Sequence, residues 1–137
     1  MKKLLLPVDG TKRGAQTVDW VIENYKAEDV SVTLMMVVDS KQEFEVKETY
    51  KESAQEYMMT TLKKEAKQLI EKGYAVEYKT DYGAPGEQIV RYAKKENFDA
   101  IIMTKSTKDG WLSTIGSVTA NVVKYASNLV MIIPEKQ

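Results

Sequence analysis

Short apolar runs alternate with helix-patterned segments along the whole chain, and this alternation limits the fold more than any other feature. Residues 3–8 form an apolar run ended by Asp9-Gly10, and 30–38 are β-branched or apolar almost throughout, the pattern of a strand covered on both faces. Residues 74–82 alternate only in part, which predicts a half-exposed strand, and 100–103 and 129–133 are two further apolar runs. Between the first two runs, Ala15, Val18, Val21, Ile22 and Tyr25 recur at helical spacing and predict a helix over 11–26. Ala54, Tyr57, Met58, Leu62, Ala66 and Leu69 do the same over 50–72, where Gly73 is the natural stop. Met58 and Met59 cannot both face inward. Gly83-Ala84-Pro85-Gly86 is a turn leading into a helix with Ile89, Val90 and Ala93, and Gly116-Ser117 opens another with Val118, Val122 and Val123. The order β-α-β-α-β-α-β-α-β predicts a mostly parallel sheet, helices on both faces and right-handed crossovers.

The chain has 137 residues and no linker, repeat or low-complexity segment, so residues 1–137 are read as one domain. In such sheets the ligand crevice lies beyond the carboxyl ends of the strands. The loops to inspect are therefore 9–13, the segment after Val38, 83–86 and 104–117. Composition narrows what they can do. With no Cys and no His, the chain has no thiol nucleophile, disulfide, thiolate metal site or imidazole acid–base catalyst. Twenty Lys and Arg balance twenty Asp and Glu, which argues against a generally basic nucleic-acid binder. No run approaches the roughly 18 apolar residues of a membrane span, and Pro7 and Asp9 cut the opening run short of a signal peptide, so a cytoplasmic protein is expected. The first turn lacks the G-x-G-x-x-G dinucleotide fingerprint, and no P-loop Lys follows Gly116. Asp9 and Asp81 only faintly echo the acidic cluster of a phosphoacceptor receiver domain.

Five segments carry a family likeness: Leu4-Leu5-Leu6-Pro7-Val8-Asp9-Gly10-Thr11, Met36-Val37-Val38-Asp39, Gly83-Ala84-Pro85, Asp99-Ala100-Ile101-Ile102-Met103 and Gly116-Ser117-Val118. In order and spacing, over essentially the whole chain, they resemble a universal stress protein domain. The resemblance implies a single-domain Rossmann-like α/β fold, of the adenine nucleotide alpha hydrolase-like kind. Its five-stranded parallel sheet has order 3-2-1-4-5 with helices on both faces, and dimers often form through the last strand. It also implies a stress-response role and a ligand, ATP or another adenine nucleotide, with Mg²⁺ a possible companion. By this analogy Asp9 and Val38 contact adenine and Pro7 shapes that turn, while Val8, Met103, Thr104, Thr107, Gly116, Ser117 and Val118 complete the expected nucleotide-binding residues.

The family's ATP binders carry G-x2-G-x9-G-[ST] after the fourth strand. Here Gly116 and Ser117 match its end, while Met103 and Ser106, or Thr104 and Thr107, stand where its first two glycines belong. A side chain there hinders backbone approach to a phosphate, and β-branched Thr resists positive φ. Thr104, Ser106 and Thr107 nevertheless bring hydroxyl donors, and Lys12, Arg13, Lys105 and Lys108 bring a basic rim. Each residue also has a plain structural reading: Asp9 or Ser117 caps a helix, Trp111 anchors its loop, and the charged 41–51 stretch is a flap or merely an exposed loop. Three functions follow: an adenine-nucleotide-binding regulator, a dimeric interaction module without nucleotide, and, least supported, a slow ATP hydrolase. A homodimer through the terminal strand from Leu129 to Ile133, an unidentified protein partner, and neither nucleic acid nor membrane complete the expectation.

Overall fold

Why the chain folds into layers is visible in its first strand. In β1 (Lys2–Pro7), Leu4, Leu5 and Leu6 are all fully buried, so both faces of the strand are covered. Burying each such side chain contributes roughly 2 kcal/mol. The computed structural model describes residues 1–39, 48–105 and 117–136. Thr107, Gly116, Trp111, Lys108, Ser106 and most of the 41–51 stretch lie outside the described residues.

After β1 come α1 (Lys12–Asn24), a single 3₁₀ turn at Ala27–Asp29, β2 (Val30–Val38), α2 (Glu48–Glu71) and β3 (Ala75–Tyr82). Then follow α3 (Pro85–Lys95), β4 (Ala100–Lys105), α4 (Ser117–Tyr125) and β5 (Leu129–Pro134). The five strands form one sheet of order β3-β2-β1-β4-β5, and every pairing is parallel. Both the alternation and the expected strand order are found. The 3₁₀ turn was not foreseen, and β4 runs two residues beyond its apolar run because Thr104 and Lys105 still pair with Ile133 and Pro134.

Two cores flank the sheet. Leu4, Leu6, Leu34 and Ile102 face α1 and α2, where Val18, Val21, Met58 and Leu62 complete one cluster. Leu5, Met35, Ile101 and Met103 face α3 and α4, meeting Ile89, Ala93 and Val122. Met58 is the inward methionine and Met59 is only partly buried, whereas Tyr57 is exposed. β3 is an edge strand with no fully buried residue, which accounts for its broken alternation. At the end of α2, Gly73 takes φ +87°, and the Tyr74 N–H donates to the Leu69 carbonyl while the Gly73 N–H donates to Ile70. That left-handed stop costs glycine nothing and satisfies carbonyls a helix end would leave open. Among the described residues no helix is long and apolar enough to cross a membrane.

Candidate functional site

Where β1 and β4 end beside the start of α4, a cavity of about 280 Å³ opens, near the lower end of the roughly 300–1,000 Å³ of ligand pockets. It lies at the carboxyl ends of the strands, as the topology requires. Pro7, Val8, Asp9, Met103, Thr104, Ser117 and Val118 all line it, so residues far apart in sequence meet here. Val38 is not among the lining residues. Its side chain packs toward the α1/α2 core, and its carbonyl accepts the Gly83 N–H at 3.0 Å. Val37 and Met35 take the cavity side instead, because successive strand residues point to opposite faces. That period-two alternation was readable in the sequence and identifies Met35 and Val37 once the covered face is known.

Asp9 sits just past β1. Its Oδ1 accepts the Thr11 N–H at 3.0 Å and the Thr11 hydroxyl at 2.6 Å, and its Oδ2 accepts an Arg13 N–H at 3.1 Å. Burial pushes the carboxyl upward, but the Thr11 hydrogen bonds and the neighbouring guanidinium outweigh it and hold Asp9 below its ordinary value. Asp9 is therefore an ionised acceptor at the cavity wall. It is not itself the α1 cap: Thr11 fills that position, its hydroxyl oxygen accepting the Arg13 N–H at 3.4 Å, a long bond.

Arg13, Gly14 and Thr17 line the cavity from α1, as do Pro85 and Ile89 from α3 and Thr119 from α4. Sequence reasoning placed Arg13 in a basic rim but missed the others. The signal for Thr17 is its place one helical turn beyond Arg13. Of the remaining rim, Lys12 lies instead in a shallow groove between α1 and α2. Thr104 also behaves differently from expectation. The Thr17 hydroxyl donates to the Arg13 carbonyl at 3.1 Å and lies 2.7 Å from the Thr104 hydroxyl. A hydroxyl has one proton, so Thr104 is the donor in that pair and offers the cavity only lone pairs.

Ser117, the first residue of α4, is exposed and offers the cavity a hydroxyl. The first N–H groups of a helix and its dipole favour an anion there. Pro7, Val8, Val37, Ile89 and Met103 give the cavity apolar walls that suit a flat base. Among the described residues no group of three or more Asp or Glu is arranged to hold a metal ion.

The model of the Universal stress protein family matches residues 1–134. The universal stress protein MJ0531 of Methanocaldococcus jannaschii is 30% identical over 148 aligned positions, spanning 99% of this chain and 85% of that protein. The solved structure of hypothetical protein MJ0577 is 28% identical, with a TM-score of 0.87 over 99% of this chain and 97% of that one. A universal stress protein family protein from Arabidopsis thaliana, solved with AMP bound, superposes with a TM-score of 0.73 at 18% identity. That alignment covers 99% of this chain and 93% of the Arabidopsis chain, and at such identity the likeness is one of fold. With the family model spanning nearly the whole chain and the strand order in agreement, this chain belongs to the universal stress protein family.

Proposed function

We propose that this protein is a stress-response regulator that binds an adenine nucleotide in the cavity at the ends of β1 and β4. The observation that carries the reading is the convergence of Asp9 from the loop after β1, Met103 and Thr104 from β4, and Ser117 and Val118 from α4 on one cavity. The AMP bound to the Arabidopsis relative supports the ligand class. The apolar walls take the base, ionised Asp9 accepts a hydrogen bond from it, and Ser117 with the open end of α4 meets the phosphates. Mg²⁺ would enter with the phosphates as their counter-ion rather than in a dedicated protein cage. Binding is the proposed activity.

The test is to denature freshly purified protein, identify any released nucleotide by chromatography, and titrate the apo protein with ATP, ADP and AMP by calorimetry. Bound nucleotide, or micromolar affinity lost on Gly116→Val with the fold retained, supports the reading. No released nucleotide and no binding heat would reject it.

A second reading, a dimeric interaction module of the same family without nucleotide, is favoured by one observation. Thr104 spends its proton on Thr17, at a place where the family's ATP binders are expected to have a glycine. Under either reading the protein is proposed to form a homodimer through β5.

A further inference from the structure

We propose that Arg13 and Glu135 are positioning residues that fix the one open acceptor site of Asp9, so that the C-terminal segment sets how strongly the cavity prefers adenine over purines lacking its amino group. This deepens the nucleotide reading and rests on it.

The argument is an inventory of lone pairs. A carboxylate offers about four acceptor sites. Thr11 fills two on Oδ1, at 3.0 and 2.6 Å, and Arg13 fills one on Oδ2 at 3.1 Å. Among the described residues one site on Oδ2 remains, on a side chain that is 57% exposed and lines the cavity. Where that site points depends on how Arg13 holds Oδ2.

Arg13 is itself held from behind. Its Nη1 lies 3.7 Å from a Glu135 carboxylate oxygen, and the Glu135 side chain is only 8% exposed. Glu135 is fixed in place: its N–H donates to the Lys105 carbonyl at 3.1 Å. The adjoining Lys136 backbone exchanges hydrogen bonds of 2.9 and 3.3 Å with the Gln16 amide. The tail after β5 is thus clamped to β4 and α1, and delivers one buried carboxylate to Arg13.

The same geometry decides against a simpler role, Arg13 as a phosphate ligand. The guanidinium stands between the Asp9 and Glu135 carboxylates, which compete with a phosphate for its charge. An ionised carboxylate accepts hydrogen bonds and cannot donate. At its open site it attracts an N–H and repels a carbonyl oxygen, which is the difference between a 6-amino purine and a 6-oxo one.

The experiment is calorimetry of the full chain with AMP and with purine riboside 5′-monophosphate, which lacks the amino group. The wild type is expected to prefer AMP by about tenfold or more, the range for a hydrogen bond to a charged group. Arg13→Gln should bring the ratio of AMP to analogue affinity down to about one, by a larger loss for AMP than for the analogue. Arg13→Lys should restore part of the preference, since a lysine keeps the charge but not the fork. Glu135→Gln, outside the cavity lining, should narrow the preference by an intermediate factor, which keeps the proposal testable if Arg13→Gln does not fold. Equal loss of both ligands in these variants, or an unchanged ratio, would overturn the positioning role. A wild type that binds both ligands equally would overturn it too while leaving nucleotide binding intact. A wild type that binds neither ligand nor ATP would reject nucleotide binding and this proposal together.

Discussion

The Thr104 hydroxyl, near the end of β4, donates to the Thr17 hydroxyl in α1 across 2.7 Å, and Thr17 passes its own proton to the Arg13 carbonyl. Both threonines are buried, so the chain of two hydrogen bonds ties the wall of the cavity to the helix above it.

The direction of that chain predicts unequal costs. Thr104→Val leaves Thr17 still bonded to Arg13 and should cost about 1 kcal/mol, whereas Thr17→Val strands the buried Thr104 hydroxyl and should cost about 2 kcal/mol. The double variant should cost less than the sum. Urea denaturation of the three variants checks this, and a Thr104→Val cost above that of Thr17→Val would reverse the assigned donor.

The close approach of α3 and α4 predicts a second effect. A Cβ built on Gly86 would stand 2.8 Å from the Asn121 Cβ, closer than such atoms pack. Gly86→Ala should therefore push the helices apart and cost about 1–3 kcal/mol, despite alanine's better helix propensity. Denaturant midpoints decide it, and a neutral or stabilising result would contradict the crowding.

Two carboxyls predict opposite pH limbs. Asp9 is held below its ordinary value, so the stability it contributes is complete above that value and is lost as pH falls through the lowered one. Glu65, on α2 beside Gly14, runs the other way. Burial raises it, Lys64 opposes the rise, and Asp9 and Asp19 add to it, so its contribution is complete below the ordinary carboxyl value and is lost as pH rises through the raised one. Asp9→Asn should flatten the acid limb. Glu65→Gln should flatten the slope above the ordinary carboxyl value and leave the protein more stable at neutral pH. Urea midpoints across pH test both, and a Glu65→Gln protein less stable at pH 7 would refute the second.

The sheet edge predicts association. Among the described residues β5 pairs only with β4, its first residue Leu129 is 63% exposed, and Val130 through Ile133 are partly exposed on both faces. An apolar edge of this kind pairs with another strand or aggregates. Light scattering should show a dimer for the wild type and a monomer for Leu129→Glu. A monomeric wild type at micromolar concentration would end the dimer proposal.

Local chemistry made much of this legible. The run from Val30 to Val38 reads as a buried strand because β-branched residues fill it, and it is β2 from end to end. Gly73 reads as a helix stop and takes the positive φ a stop requires. Gly83-Ala84-Pro85-Gly86 reads as a turn leading into a helix, and α3 begins within it, at Pro85, where the missing N–H costs nothing. Asp9 and Ser117 were recognised from short motifs, and they do reach one cavity. Thr17, Ile89 and Thr119 were not recognised, because each looks like an ordinary helix residue until the layers are assembled.

By itself the sequence determined the alternation of strands and helices, their limits to within a few residues, and the absence of thiol and imidazole chemistry, because propensity, periodicity and composition act locally. Tertiary structure alone decided that Val37 rather than Val38 lines the cavity, that Thr104 spends its proton on Thr17, and that Glu135 from beyond the last strand stands behind Arg13. Those facts depend on which faces meet when the parallel sheet brings residues about a hundred positions apart side by side, and no local pattern carries that information.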